Sequence, residues 1–172
     1  SMATRRQHLA TNKVLGDVTL YLRSVGYDLV FVETAGIGQS DSQIVDIVDL
    51  SVYIMTSDYG AATQLEKIDM VDYADMVILN KYEKRGSQDA LRDIRKQWQR
   101  NHNIFNCTVG EIPVYPAIAN QFNDSGLNSA FYNLCRLLAD KKGLNKNSWI
   151  PEATKNFCLA LFYPPIIYIS YK

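Results

Sequence analysis

Hydrophobic and polar positions along the chain follow two periods. Over residues 12–25, Val14, Leu15, Val18, Leu22 and Val25 recur at spacings of three and four, the stripe of an amphipathic helix, and Gly26 is placed to end it. Leu29–Val32 follows as a short apolar run. The same kind of run returns as SVYIMT at 51–56, DMVILN at 75–80 and IPVYPAI at 112–118. Runs of this length bounded by polar turns predict buried strands. Helical periods fill the intervals: Leu65, Ile68 and Val71 within Gln64–Tyr73, then Leu91, Ile94 and Trp98 behind a capping Ser87, then a longer stripe over Leu127–Leu138.

Strand and helix therefore alternate. Parallel neighbours need a long connection, which a helix supplies, so the order predicts an α/β fold with a mostly parallel sheet flanked by helices. Such sheets carry ligands at the carboxyl ends of their strands, which directs attention to the residues just after each run.

Composition narrows the class. A chain of 172 residues suits one domain, and 47% hydrophobic residues with 21% charged and zero formal net charge favour neither disorder nor a nucleic-acid surface. Cys107, Cys135 and Cys158 are widely spaced, which argues against a disulfide framework or a zinc site and fits buried thiols in a reducing compartment. No secretory leader pattern opens the sequence, and its most apolar stretch, Phe157–Tyr171, is broken by Pro164-Pro165. A soluble protein of the cytoplasm or an organelle matrix is expected, away from membranes.

Three segments after the strands carry candidate chemistry. ETAG, Glu33–Gly36, places a carboxylate that could hold Mg2+ and, three residues on, a glycine whose N–H could approach a terminal phosphate. NKYE, Asn80–Glu83, departs by one methylene from the N-K-x-D pattern that reads guanine. In that pattern the acid accepts from the ring N–H and the exocyclic amine, the asparagine meets the other edge, and the lysine stem covers the face of the base. An unpaired buried edge left by the wrong base costs about 1–3 kcal/mol per group. Glu83 would need a retracted rotamer to do the same. Ile118-Ala119 stands where such folds present a Ser-Ala backbone loop to the base oxygen.

Taken in order, VETAGIGQSDSQIVDIVD, MTSDYGAATQLEKIDMVDYADMVILNK and RGSQDALRDIRKQWQRN, with the opening ATRRQHLATN, resemble the G-domain of the cobalamin-associated GTPase chaperones of the methylmalonyl-CoA mutase type, above all the version fused inside isobutyryl-CoA mutase. The resemblance covers roughly residues 2–140. It implies a P-loop GTPase (Rossmann-like) fold that binds GTP or GDP with Mg2+, gates adenosylcobalamin loading and protects a radical mutase interconverting isobutyryl-CoA and n-butyryl-CoA. By that resemblance Glu33 is the magnesium-associated acid, Gly36 the γ-phosphate contact, Gln39 the catalytic candidate, and Asn80, Lys81, Glu83 and Ala119 the base site. Ser57–Gln64 resembles a mobile loop that couples nucleotide state to the mutase, and Arg5 and Arg6 are candidates for switch or phosphate contacts. The implied partners are the cobalamin-binding and substrate-binding mutase domains, with adenosylcobalamin held by the parent enzyme rather than by this chain.

The sequence departs from that family in two places. It contains no G-x-x-x-x-G-K-[ST], since Gly16 and Gly26 belong to the first helix pattern, and no D-x-H-x-x-G cobalamin motif. The expectation is the carboxyl-terminal portion of a G-domain over 1–143, a chain truncated at its amino end that binds GTP poorly and hydrolyses it negligibly, because a phosphate loop supplies most of the hold on β- and γ-phosphates. The tail, 144–172, matches nothing expected of the family. It reads as an edge strand, as a segment packing where the missing first strand would lie, or as out-of-frame translation, the last being preferred. A sheet lacking its central strand would expose edges and invite homodimerisation or aggregation. The alternative function is a degenerate, non-enzymatic interaction module. A metal-delivery GTPase is disfavoured, since His8 and His102 stand alone.

Overall fold

The computed structural model describes residues 14–34, 42–59, 70–104, 109–145 and 166–171. In chain order the elements are α1 (Leu15–Val25), β1 (Leu29–Thr34), a 3-10 turn (Ser42–Asp46), β2 (Leu50–Thr56), a second (Ser57–Tyr59), α2 (Met70–Tyr73), β3 (Met76–Asn80), α3 (Ser87–Asn101), a third 3-10 turn (Val109–Glu111), β4 (Val114–Pro116), α4 (Ser125–Lys142) and β5 (Ile166–Tyr171). The five strands form one sheet in the order β1-β5-β2-β3-β4.

The predicted α/β architecture is present. β2, β3 and β4 are parallel neighbours, with Val52 opposite Met76 and Val77 opposite Val114. β3 is buried on both faces: Val77 and Leu79 point to one core, Met76 and Ile78 to the other. That explains why it reads as a continuous apolar run rather than an alternating one. On the first face Leu91, Ile94 and Trp98 of α3 pack with Val71 of α2, Met55 and Val114. On the second, Leu127, Ala130 and Leu138 of α4 cover Leu50, Val52, Tyr115 and Ala117. Each fully buried Leu, Ile or Val contributes about 1.5–3 kcal/mol, so this double layer dominates the stability.

α1 ends as predicted. Gly26 adopts a left-handed φ of 106°, and the N–H of Tyr27 returns to the Leu22 carbonyl at 3.3 Å. Its buried stripe is narrower than the spacing predicts, because Leu15 and Leu22 pack on Val30, Val32 and Ile44 while Val14 and Val25 are exposed. Among the described residues, α1 rests on the small cluster of Val30, Val32 and Ile44, which its outermost apolar positions do not reach. The helix expected over Gln64–Tyr73 is described from Met70 onward; Leu65 and Ile68 lie outside the described residues.

The tail holds the main departure. β5 runs antiparallel to both neighbours, from Leu29 opposite Tyr171 to Thr34 opposite Ile166 on β1, and from Leu50 opposite Ile169 to Tyr53 opposite Ile166 on β2. Of the positions considered for this segment, an edge of the sheet is not the one it takes: β5 lies in the slot between β1 and β2. The slot is thereby closed, so β1 and β4 are the outer strands of the sheet. At the end of the sheet where α4 finishes, Lys141 pairs with Asp75 at 2.6 Å and Lys142 with Asp49, which pins α4 across β2 and β3.

Candidate functional site

Asn80 is the last residue of β3, where the sheet stops and the chain must turn. Its side-chain Oδ1 accepts from the backbone N–H of Lys81 at 2.8 Å and of Ala119 at 3.2 Å. One carboxamide thus ties the loop after β3 to the loop after β4. Backbone bonds reinforce the joint: the N–H of Ala117 donates to Leu79 O at 2.9 Å, and that of Tyr82 to Ala117 O at 3.1 Å. Two sequence-predicted members of one site, Asn80 and Ala119, are in direct contact.

Lys81 adopts a φ of 56°, the left-handed region that costs a non-glycine residue about 1–2 kcal/mol. Three bonds offset this. Its N–H is held by Asn80, while its carbonyl accepts from the Lys84 N–H at 3.0 Å and from the Ser87 hydroxyl at 3.4 Å. Ser87 was expected to cap α3. Instead Gly86, with a φ of 85°, is the N-cap, and Ser87 is the first helical residue with its hydroxyl turned back to Lys81. The left-handed glycine redirects the chain, so the hydroxyl braces the site turn rather than the helix end.

Asp124 supports the other loop. Its Oδ2 accepts from Leu127 N–H at 2.7 Å, capping α4, and from Ile118 N–H at 3.2 Å. Beside it, a Cβ on Gly126 would stand 1.9 Å from the Pro116 carbonyl oxygen, so the first turn of α4 can approach β4 only because that side chain is absent. Asp124 and Gly126 were not singled out from the sequence, although Asp-Ser-Gly before an apolar stripe is a readable helix start.

Two further groups border the site. Asp58, in the turn after β2, accepts from Thr56 Oγ1 at 3.1 Å and pairs with Lys84 Nζ at 3.1 Å. The Lys84 and Thr56 hydrogen bonds hold its carboxyl below the ordinary carboxylate range, with Lys81 adding to the positive field. This pair joins the loop after β2 to the turn after β3. Glu83 is exposed, as is Glu33 on β1. Gly36, Gln39, Arg5 and Arg6 lie outside the described residues, as do Gly60–Gln64 of the expected coupling loop. His102 stacks on Trp98 with centroids 4.0 Å apart and its Nδ1 lies 3.0 Å from Trp98 O, a structural use of the ring.

The donor set can be tested against the implied ligands. Asn80 Oδ1 is taken up by two backbone donors, which leaves its Nδ2 end to face an acceptor on a base edge. The Ala119 N–H is used by Asn80, so a base oxygen would have to share it. Among the described residues no group of three or more His, Cys, Asp or Glu could hold a metal. Mg2+ at a nucleotide takes one or two carboxylates and completes its shell with water and phosphate oxygens, so such a cluster is not a requirement for it.

The parallel β2-β3-β4 strands flanked by helices, with a braced Asn-Lys turn at their carboxyl edge, are consistent with an α/β protein of the P-loop GTPase type. Comparison with known proteins narrows the class: the sequence profile of "Methylmalonyl Co-A mutase-associated GTPase MeaB" matches residues 2–153, and the chain belongs to that family. It is 48% identical over 145 residues to a fused isobutyryl-CoA mutase of Geobacillus kaustophilus, covering 84% of this chain and 13% of that protein. A fused isobutyryl-CoA mutase of Cupriavidus metallidurans is 47% identical over 152 residues, 88% of this chain and 14% of the relative. GTPase ArgK of Escherichia coli is 32% identical over 65 residues, 38% of this chain and 20% of that protein. The chain thus spans about one seventh of the length of the fused relatives. Among the described residues no helix is long and apolar enough to cross a membrane.

Proposed function

We propose that this chain supplies the base-reading and switch portion of a guanine-nucleotide-binding module that serves an adenosylcobalamin-dependent acyl-CoA mutase of the isobutyryl-CoA type. The observation that carries the reading is the Asn80 carboxamide bridging Lys81 and Ala119, which fixes the loops after β3 and β4 as one surface. On this surface Asn80 offers Nδ2 to a base acceptor, the Lys81 stem covers the base face, and Glu83 accepts from the guanine ring N–H and amine. Ala119 shares its N–H between Asn80 Oδ1 and the base oxygen. Glu33 stands at the carboxyl end of β1 to hold Mg2+ or its water, and the cation would supply charge neutralisation at the phosphates. Gly36 and Gln39 complete the switch side as phosphate contact and water-orienting residue.

The loop that begins at Ser57 serves as the relay toward the mutase domains, with Asp58–Lys84 linking it to the base turn. Gating of cofactor loading belongs to the parent protein. The chain alone, without a phosphate loop, hydrolyses GTP negligibly. A second reading, a non-enzymatic module that keeps the fold and partner surface, draws on the closure of the sheet by β5 without such a loop.

Amide NMR at millimolar GDP tests the base site. The expected outcome is selective shifts at Lys81, Glu83 and Ala119 with GDP, absent with ADP and lost in Asn80→Ala. Equal shifts with ADP, or none with either, refutes the assignment. Micromolar GTP affinity by calorimetry with turnover above a buffer blank refutes the inactivity.

A further inference from the structure

The base-site reading places Asn80, Glu83 and Ala119 at the edges of a bound base and the Lys81 stem over one face. The opposite face has no assigned cover. Two aromatic side chains are described in the loops after β3 and β4. Tyr82, beside Lys81, packs against the α3-side core and is committed to the fold. Phe122, three residues beyond Ala119, is 82% exposed, the most exposed large hydrophobic side chain among the described residues.

The backbone that carries this ring is tied on both sides. Before it, the Gln121 N–H closes a turn on the Ile118 carbonyl at 2.9 Å, while the Ile118 N–H donates to Asp124 Oδ2 and the Ala119 N–H to Asn80 Oδ1, each at 3.2 Å. After it, Asn123 takes a φ of 56° and its Oδ1 accepts from Asn128 Nδ2 of α4 at 2.8 Å. The ring is thus presented to solvent, at the ligand-bearing end of the sheet, by a loop already ordered. A ligand that stacks on it meets little of the usual cost of fixing a loop.

The surroundings select the class of ligand. Asn120 and Gln121 are exposed and Asn123 half-buried, so the neighbours of Phe122 in its loop are amides. Other exposed apolar side chains lie elsewhere: Leu20, Tyr21, Val25 and Phe31 are on α1 and β1, with three strands between β1 and β4. The centre of a protein interface is a contiguous apolar patch, which a single ring among amides does not make. One aromatic face bordered by hydrogen-bonding groups suits a planar heteroaromatic ligand that stacks on the ring and is read at its edges.

We propose that Phe122 is the stacking platform for the base of the bound guanine nucleotide, covering the face opposite the Lys81 stem. The proposal rests on the nucleotide-site reading for the presence of the base and adds to it a residue that holds the ring rather than its edges. Every base has a π-face, so Phe122 contributes affinity while Asn80 and Glu83 carry the choice of guanine.

The test titrates the full chain with GDP and with guanosine, which has no phosphates, by amide NMR. Phe122→Ala should weaken both ligands by the same factor, about fivefold or more, the effect of losing one base–aromatic stack. Phe122→Trp should bind both at least as tightly as the wild type. With the wild type, guanine H8 should show transferred nuclear Overhauser effects to the Phe122 ring. Because the ring is exposed, the unfolding midpoints of the three proteins should coincide, which separates lost stacking from lost fold. Guanosine binding unchanged in Phe122→Ala, a loss confined to GDP, or a tryptophan variant as weak as the alanine one overturns the proposal. If Asn80→Ala abolishes binding in the same series while Phe122→Ala does not weaken it, the base site stands without Phe122. A wild type that binds neither ligand overturns the base-site reading and the stacking role together.

Discussion

Gly126 is the tightest point beneath the loop after β4. A methyl group there would stand 1.9 Å from Pro116 O, and the neighbour is backbone, so it cannot swing aside. Gly126→Ala should destabilise the chain by about 1–3 kcal/mol, the usual cost of overpacking, and should shift the Ile118 and Ala119 amides that rest on Asp124 and Asn80. Denaturant unfolding with amide spectra checks both; an unchanged midpoint would show that α4 can retreat freely. Asp58 offers a titration. Its folded carboxyl is held low by Lys84 and Thr56, so this contribution is present above the unfolded value near 3.9 and is lost as pH falls through the lower folded value. Carbon-detected NMR should find its midpoint below that of other exposed aspartates. In Lys84→Ala the midpoint should rise toward the ordinary value, and a midpoint indifferent to Lys84 would remove the link between the two loops.

At the scale of elements, α3 and α4 start in different ways, and the difference separates what the sequence shows from what it hides. α4 begins at Asp124, whose carboxylate caps the Leu127 N–H. α3 begins at a left-handed Gly86 with no side-chain cap, and Ser87 serves the Lys81 carbonyl instead. A serine before an apolar stripe reads as a cap; only the backbone direction set by Gly86 reveals otherwise. Gly86→Ala should therefore cost about 1 kcal/mol or more through its positive φ. Ser87→Ala should leave α3 nearly as stable while loosening the Lys81 turn, seen as faster exchange of the Lys81 and Lys84 amides. Equal losses of helix stability in the two variants would restore Ser87 as a cap. β2 and β3 were legible for a related reason: burial on both faces imposes a continuous apolar run that survives any detail of topology. The Asn80 turn was legible as a motif, but its bond to Ala119 joins positions far apart in sequence and follows from β3 and β4 being neighbours. β5 was legible as apolar, whereas its seat and direction were not, since they depend on which slot the other strands leave open.

For the whole molecule, that slot makes the sheet two bodies joined by one strand. β2, β3 and β4 pair directly and share both large cores with α2, α3 and α4. β1 pairs among the described strands only with β5, and its core is the smaller cluster of Val30, Val32 and Ile44 under α1. Among the described residues, Tyr53 packs against both the α3-side core and this smaller one. Local opening free energy follows buried apolar contact and strand pairing, so the α1–β1 unit should open well before the β3 centre. Native-state hydrogen exchange at increasing denaturant should resolve two tiers: Met76–Leu79 and Ile94 at the global limit, Val30–Val32 and Leu22 below it by a few kcal/mol. Tyr53→Ala should widen the gap, because the smaller core loses a packing partner at the seam. If all these amides merge on a single isotherm, the two cores form one cooperative unit, and β5 is a structural strand as firmly held as β3.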